Sequence, residues 1–165
     1  MGCGYKPADR YHREILGDNI DLAYKVSAEN PEEGIFIKDG FIENIYTTLH
    51  DKLGEGGSKV KITSSKGSLS PLDYDTKGYP IVYRSSVTIK VKITSPNGKT
   101  RTYSATGDYD FAVTAKGVVN HQLKLSAFKK ATTSAINKLL AKIALDQLKE
   151  EEKKKEEKEN NTSNS

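Results

Sequence analysis

Three histidines, one cysteine and two closely spaced aspartates are the side chains best suited to chemistry here, and none is placed to carry it out. His12, His50 and His121 are too widely separated to share a local metal motif. None has a His or Cys at ligand spacing, so they read as surface or capping residues. Asp108 and Asp110 fall on one side of an alternating stretch, where paired carboxylates could exchange protons, yet nothing else in the sequence supports acid–base catalysis. Gly98-Lys99-Thr100 ends like a phosphate-binding loop. The first glycine of that motif would fall at Ile93, however, and the segment lies on a hairpin rather than a strand-to-helix turn. No serine sits in a nucleophile elbow, and Cys3 has no neighbouring base in sequence to activate its thiol. The expectation is a non-enzymatic binding domain without metal or cofactor.

The basic side chains are better arranged. Arg84, Lys90 and Lys92 share one side of the stretch 81–94, Lys59 and Lys61 share one side of 59–63, and Lys99 and Arg101 flank Pro96-Asn97-Gly98. If these strands are neighbours, the result is an open positive face able to hold phosphates, arginine in bidentate fashion and lysine as a point charge. A solvated face that resists edge aggregation explains the same residues. The net charge is +4, but Lys149 to Glu159 is a run of eleven charged residues, six acidic and five basic, so the remainder carries +5. That balance suits a phosphate-bearing lipid, a nucleic acid or an acidic protein surface, and also ordinary solubility.

The elements that must position these residues follow from periodicity. Asn19 to Ala28 alternates, with Ile20, Leu22, Tyr24 and Val26 on one face of a first strand. Asn30-Pro31-Glu32-Glu33 supplies a cap, a first-turn proline and two carboxylates that favour a helix N-terminus. The helix is expected to run to about Leu53, with Ile35, Phe41, Ile42, Ile45, Leu49 and Leu53 as its apolar stripe, and to stop at Gly54, Gly56 and Gly57. Lys59 to Thr63 predicts a second strand followed by a long Ser/Gly/Pro-rich loop. The most regular strand is Ile81 to Thr94, and after a hairpin signal Arg101 to Val113 returns with Tyr103, Ala105, Tyr109, Phe111 and Val113 inward. From about Asn120 a second amphipathic helix passes through Leu125, Phe128, Ala135, Ile136, Leu139, Ile143 and Leu148.

This predicts an α+β fold of order β-α-β-β-β-α: a four-stranded, mostly antiparallel sheet with two helices on one face and a wet opposite face. The 165 residues divide into an N-terminal tether (1–18), a single domain (19–148) and a charged tail (149–165), helical and then frayed. No apolar run approaches the ~20 residues a membrane-spanning helix needs. A lone cysteine rules out an internal disulfide or a multi-thiolate metal site. Its position carries more information, because Cys3-Gly4-Tyr5-Lys6-Pro7 resembles the start of a mature, acylated bacterial lipoprotein. Met1-Gly2 then reads as a replacement start where a targeting segment stood. A eukaryotic myristoyl start fits less well, since Lys6 occupies the place of the expected Ser or Thr.

Cys3-Gly4-Tyr5, the element order, Ser70-Pro71-Leu72 with Tyr74-Asp75 and Gly78-Tyr79, Tyr83-Arg84, and Gly107-Asp108-Tyr109-Asp110-Phe111 together resemble the LptE family of lipopolysaccharide-assembly lipoproteins. The resemblance spans Cys3 to about Leu148, and the charged tail departs from it. It implies lipidation at Cys3, with two or three acyl chains as the membrane anchor. Gly4, rather than aspartate, after the cysteine implies sorting to the periplasmic side of the outer membrane. It further implies a plug that helps assemble a large LptD-like outer-membrane β-barrel, and binding of lipopolysaccharide in transit to the cell surface. Arg84, Lys90, Lys92, Lys59, Lys61, Lys99 and Arg101 are the candidate ligand residues from charge alone.

Two rival readings share parts of the pattern. Helix, three strands and helix is also the order of a double-stranded-RNA-binding domain, with Lys129-Lys130-Ala131 at its phosphate-gripping position. Against it stand the extra first strand, the long hairpin strands and the absence of a glycine-proline-histidine loop, so no nucleic-acid partner is expected. The third is a periplasmic lipid or peptide carrier whose sheet and helices part to expose an apolar cleft.

Overall fold

In the computed structural model, which describes residues 19–24, 31–44, 47, 52–53, 57–114 and 116–162, the alternating and helical stretches become one layered structure. The elements are β1 (Asn19–Tyr24), α1 (Pro31–Asn44), β2 (Lys52–Leu53), β3 (Ser58–Tyr74), β4 (Pro80–Thr94), β5 (Thr100–Ala112) and α2 (His121–Thr162). They build an α+β fold, as expected. The sheet order is β2-β1-β3-β4-β5, with β1 parallel to β2 and β3 and the longer strands antiparallel.

Strand period two sorts the sheet into faces. Val60, Ile62, Val87, Ile89, Val91, Ile93 and Ala105 are buried, and they pack with Phe41 of α1 and Phe128, Ile136, Leu139 and Ile143 of α2 in one core. Asn120 caps α2, its Oδ1 accepting from Leu123 N at 2.8 Å. At Gly107 the α2 backbone lies directly on β5: a Cβ there would stand 2.1 Å from Ala135 N and 2.2 Å from Ala131 O. Small residues on both elements permit that approach, and the helix lies flat along the strand. Ser85 and Thr132, fully buried in the same layer, have hydroxyls without a hydrogen-bond partner among the described residues.

Three features differ from the sequence expectation. The described part of helix α1 runs to Asn44, and Lys52–Leu53, placed by periodicity at the helix end, is instead a short edge strand beside Asn19–Ile20. Ile35, assigned to the apolar stripe, is 53% exposed, while Phe41 is buried; Ile45 and Leu49 lie outside the described residues. Strand β3 runs 17 residues where five were expected, absorbing the serine-rich segment by pairing with β4. No alternation marks this stretch, and Leu69, Leu72 and Tyr74 remain partly or largely exposed.

Helix α2 is 42 residues long, about 63 Å at the standard rise, and β4 about 50 Å. Its described side chains after Glu151 are exposed as far as Lys158, so the charged run continues the helix past the sheet.

Candidate functional site

On the face opposite the helices, cross-strand register brings four of the candidate lysines together. Lys61 stands directly opposite Lys92, Lys59 opposite Thr94, and Lys90 opposite Ser64. Lys90 and Lys92 are two residues apart on one strand, hence on one face about 7 Å from each other. Side chains facing each other across strands start about 5 Å apart. Lys59, Lys61, Lys90 and Lys92 are all exposed. Asp21 is the register partner of Lys59 on β1 and the one acidic neighbour that pairing supplies to this row among the described residues. On such a lattice the four lysines can meet a multiply charged anion as point charges.

The remaining three candidates are not part of that group. Arg84 shares the wet face but lies six residues from Lys90, about 20 Å along the strand. Its Nε and Nη2 donate to Asp110 Oδ1 and Oδ2, both at 2.7 Å. The hydrogen bond and the charge of Asp110 raise the Arg84 pKa, and the same hydrogen bond holds the Asp110 carboxyl below its usual value. Asp108, meanwhile, accepts from Ser86 Oγ at 2.6 Å. The two aspartates that looked like a catalytic pair are each tied to a β4 partner.

Arg101 points to the opposite face. It continues the inward parity of Tyr103 and Ala105 and meets Glu150 and Asp146 of α2, while Lys99 Nζ donates to Glu150 Oε1 at 2.8 Å. Burial disfavours the Arg101 charge, but the hydrogen bond and charge of Glu150 outweigh it and leave the pKa raised. Hydrogen bonds from Lys99 and Arg101 lower that of Glu150. Tyr103 Oη donates to Asp146 Oδ2 at 2.7 Å, and burial first, then this hydrogen bond, pushes its pKa strongly upward. Lys99, Arg101, Tyr103, Asp146 and Glu150 thus clasp the hairpin base to the helix. Sequence reasoning missed this cluster because Glu150 sits in a charged run that reads as solvent-facing, although the parity of Tyr103 already assigned Arg101 inward.

Lys129 is 3.6 Å from Glu43, and Lys130 donates to Tyr109 Oη at 2.8 Å and lies over its ring. Both cations are engaged within the domain. Cys3, His12 and His50 lie outside the described residues. Among the described residues no helix is long and apolar enough to cross a membrane.

No family model and no curated protein sequence matches the chain. Solved structures do. Rare lipoprotein B from Shewanella oneidensis superposes with a TM-score of 0.54 at 12% identity, over 81% of this chain and 98% of that one. A minor lipoprotein from Acinetobacter baumannii gives 0.57 at 7% identity, over 81% and 95%. Lipoprotein B from Nitrosomonas europaea gives 0.52 at 9% identity, over 77% and 82%. The chain shares the fold of these bacterial lipoproteins. At such identities the fold alone is what they have in common, and the lysine row is read from this chain's own geometry.

Proposed function

We propose that this protein is an outer-membrane lipoprotein, anchored by acyl chains on Cys3, that binds lipopolysaccharide and serves as the plug and assembly partner of its translocating β-barrel. It has no catalytic role in this reading. The observation that carries the binding role is the Lys61–Lys92 pair with Lys59 and Lys90 beside it, on a sheet face that neither helix covers. Like charges directly opposite each other destabilise a sheet, and an anionic headgroup would relieve the repulsion. The polar wet face also suits the aqueous interior of a barrel. The shared fold supports the lipoprotein assignment, and Cys3-Gly4 supports the anchor and its destination.

The test is binding of purified lipopolysaccharide to the full chain across a salt series, for wild type, Lys61→Glu with Lys92→Glu, and Arg84→Glu. The double variant is expected to lose at least about tenfold in affinity and much of the salt dependence. Arg84→Glu is expected to bind nearly as wild type, because Arg84 is already neutralised by Asp110. Equal affinity for wild type and the double variant would remove the lysine row as the site. The barrel role is tested separately, by purifying the full-length protein from membranes; absence of a co-purifying large β-barrel would overturn it.

A further inference from the structure

The two long edges of the sheet are treated differently. Along β5, Lys138 Nζ donates to Thr106 O at 2.8 Å and Lys142 Nζ to Ser104 O at 2.5 Å, so α2 occupies backbone acceptors that would otherwise invite another strand. Those carbonyls point away from β4. Antiparallel ladders alternate hydrogen-bonded and non-bonded pairs, so Thr88 and Lys90, their partners, must turn their own backbone groups toward β3. There they meet Lys66 and Ser64, and Ser68 and Ser70 follow opposite Ser86 and Arg84. The intervening residues Ser65, Gly67 and Leu69 therefore direct N–H and C=O outward.

Nothing among the described residues pairs with that outer edge. Strand β1 covers β3 from Ser58 to Ile62, and among the described residues the edge beyond has no ladder partner. Pro71 occupies the next outward position, where a missing N–H removes no bond to β4, which explains how a proline sits within this strand. The open edge is bracketed by the end of β1 on one side and by Pro71 on the other.

We propose that the outer edge of β3 from Ser65 to Leu69 is a docking edge for an extended acidic segment of a partner protein, which adds a strand to the sheet. Alternating N–H and C=O groups at strand spacing are matched in full only by another extended backbone. The acidic character follows from charge: Lys61 on β3 and Lys90 and Lys92 on β4 flank the start of this edge on the wet face. On the other face the half-buried Leu69 would meet apolar side chains, so the favoured segment alternates acidic and apolar residues. The backbone edge does not depend on lipopolysaccharide binding, while the acidic preference draws on the same lysines.

The test uses the full chain and a synthetic eight-residue peptide of alternating glutamate and valine, read by residue-resolved amide hydrogen exchange. In the free protein the amides of Gly67 and Leu69 should exchange rapidly while Ser68 is protected. Addition of the peptide should slow Gly67 and Leu69 at least about tenfold. A control with proline in place of each valine keeps the charge and removes half the donors, and should give no protection. Gly67→Pro should abolish binding while the β3–β4 amides stay protected; if that variant does not fold, the proline peptide carries the comparison. Equal binding of both peptides, protection on β5 instead, no protection at millimolar peptide, or concentration-dependent protection with dimer formation in the absence of peptide would each overturn the proposal.

Discussion

At Gly107 the covered face of the sheet brings β5 so close to α2 that one added carbon would stand 2.1 Å from Ala135 N, whereas on the opposite face Lys61 and Lys92 stand side by side in solvent. The covered face is optimised for contact: small residues where backbones meet, large apolar ones where they do not. The wet face divides again. Between β4 and β5 its pairs are complementary, with Arg84 on Asp110, Ser86 on Asp108, Thr88 on Thr106 and Thr94 on Thr100. Between β3 and β4 the facing side chains include two lysines. The complementary half stabilises the sheet through its own pairs, and the half that holds Lys61 opposite Lys92 does not.

The change that would break this comparison outright is Gly107→Val. The atoms it would strike are helix backbone, which cannot rotate away, so α2 must lift off β5 and loosen a core that includes Ile136 and Leu139. The expected loss is above about 4 kcal/mol, at the severe end for a single substitution. Urea unfolding measures it, and a loss below about 1 kcal/mol would show that the helix does not rest on the strand there.

The clasp between α2 and the hairpin should come next. Glu150 is about a third exposed and its partner Arg101 is mostly enclosed, so Glu150→Gln is expected to cost about 1 kcal/mol, less than a fully buried charged hydrogen bond. The sign with pH is fixed by the lowered Glu150 pKa. Its contribution is present above the unfolded glutamate pKa and disappears as pH falls through the lower folded value. The difference in melting temperature between wild type and Glu150→Gln should therefore shrink from neutral pH to about pH 3. A difference that stays constant would mean the carboxylate charge is not what holds the helix end.

Much of the fold was legible because burial imposes a period. Ile81 to Thr94 presses one face into the core, and so does Arg101 to Val113, hence both alternate; α2 repeats its apolar residues at helical spacing for the same reason. The second half of β3 was illegible because its faces and outer edge are under no such pressure, and ladder pairing with β4 leaves little mark on side-chain type. The site divides in the same way. Lys59, Lys61, Lys90 and Lys92 were readable as residues that alternate with core positions, while Lys99 and Arg101 were grouped with them by charge when parity placed Arg101 on the other face. Their partner Glu150 lies about fifty residues away in sequence, and no local pattern links the two.

The smallest expected effect is the most telling about the wet face. Replacing Lys61 with threonine removes one member of the repulsive pair and places a β-branched side chain opposite Lys92, so stability should rise by about 0.2–1 kcal/mol. Lys90→Thr, at a position whose register partners are Ser64 and Ser104, should gain less. The gain at Lys61 should also decline with added salt, because it comes from relief of a screened repulsion. If lysine at position 61 is retained for an anionic ligand, the same substitution must weaken lipopolysaccharide binding while the protein becomes more stable. Opposite signs in the two measurements would separate a binding face from a merely solvated one. A Lys61→Thr protein that is destabilised and binds as wild type would remove the reason for distinguishing the two halves of the face.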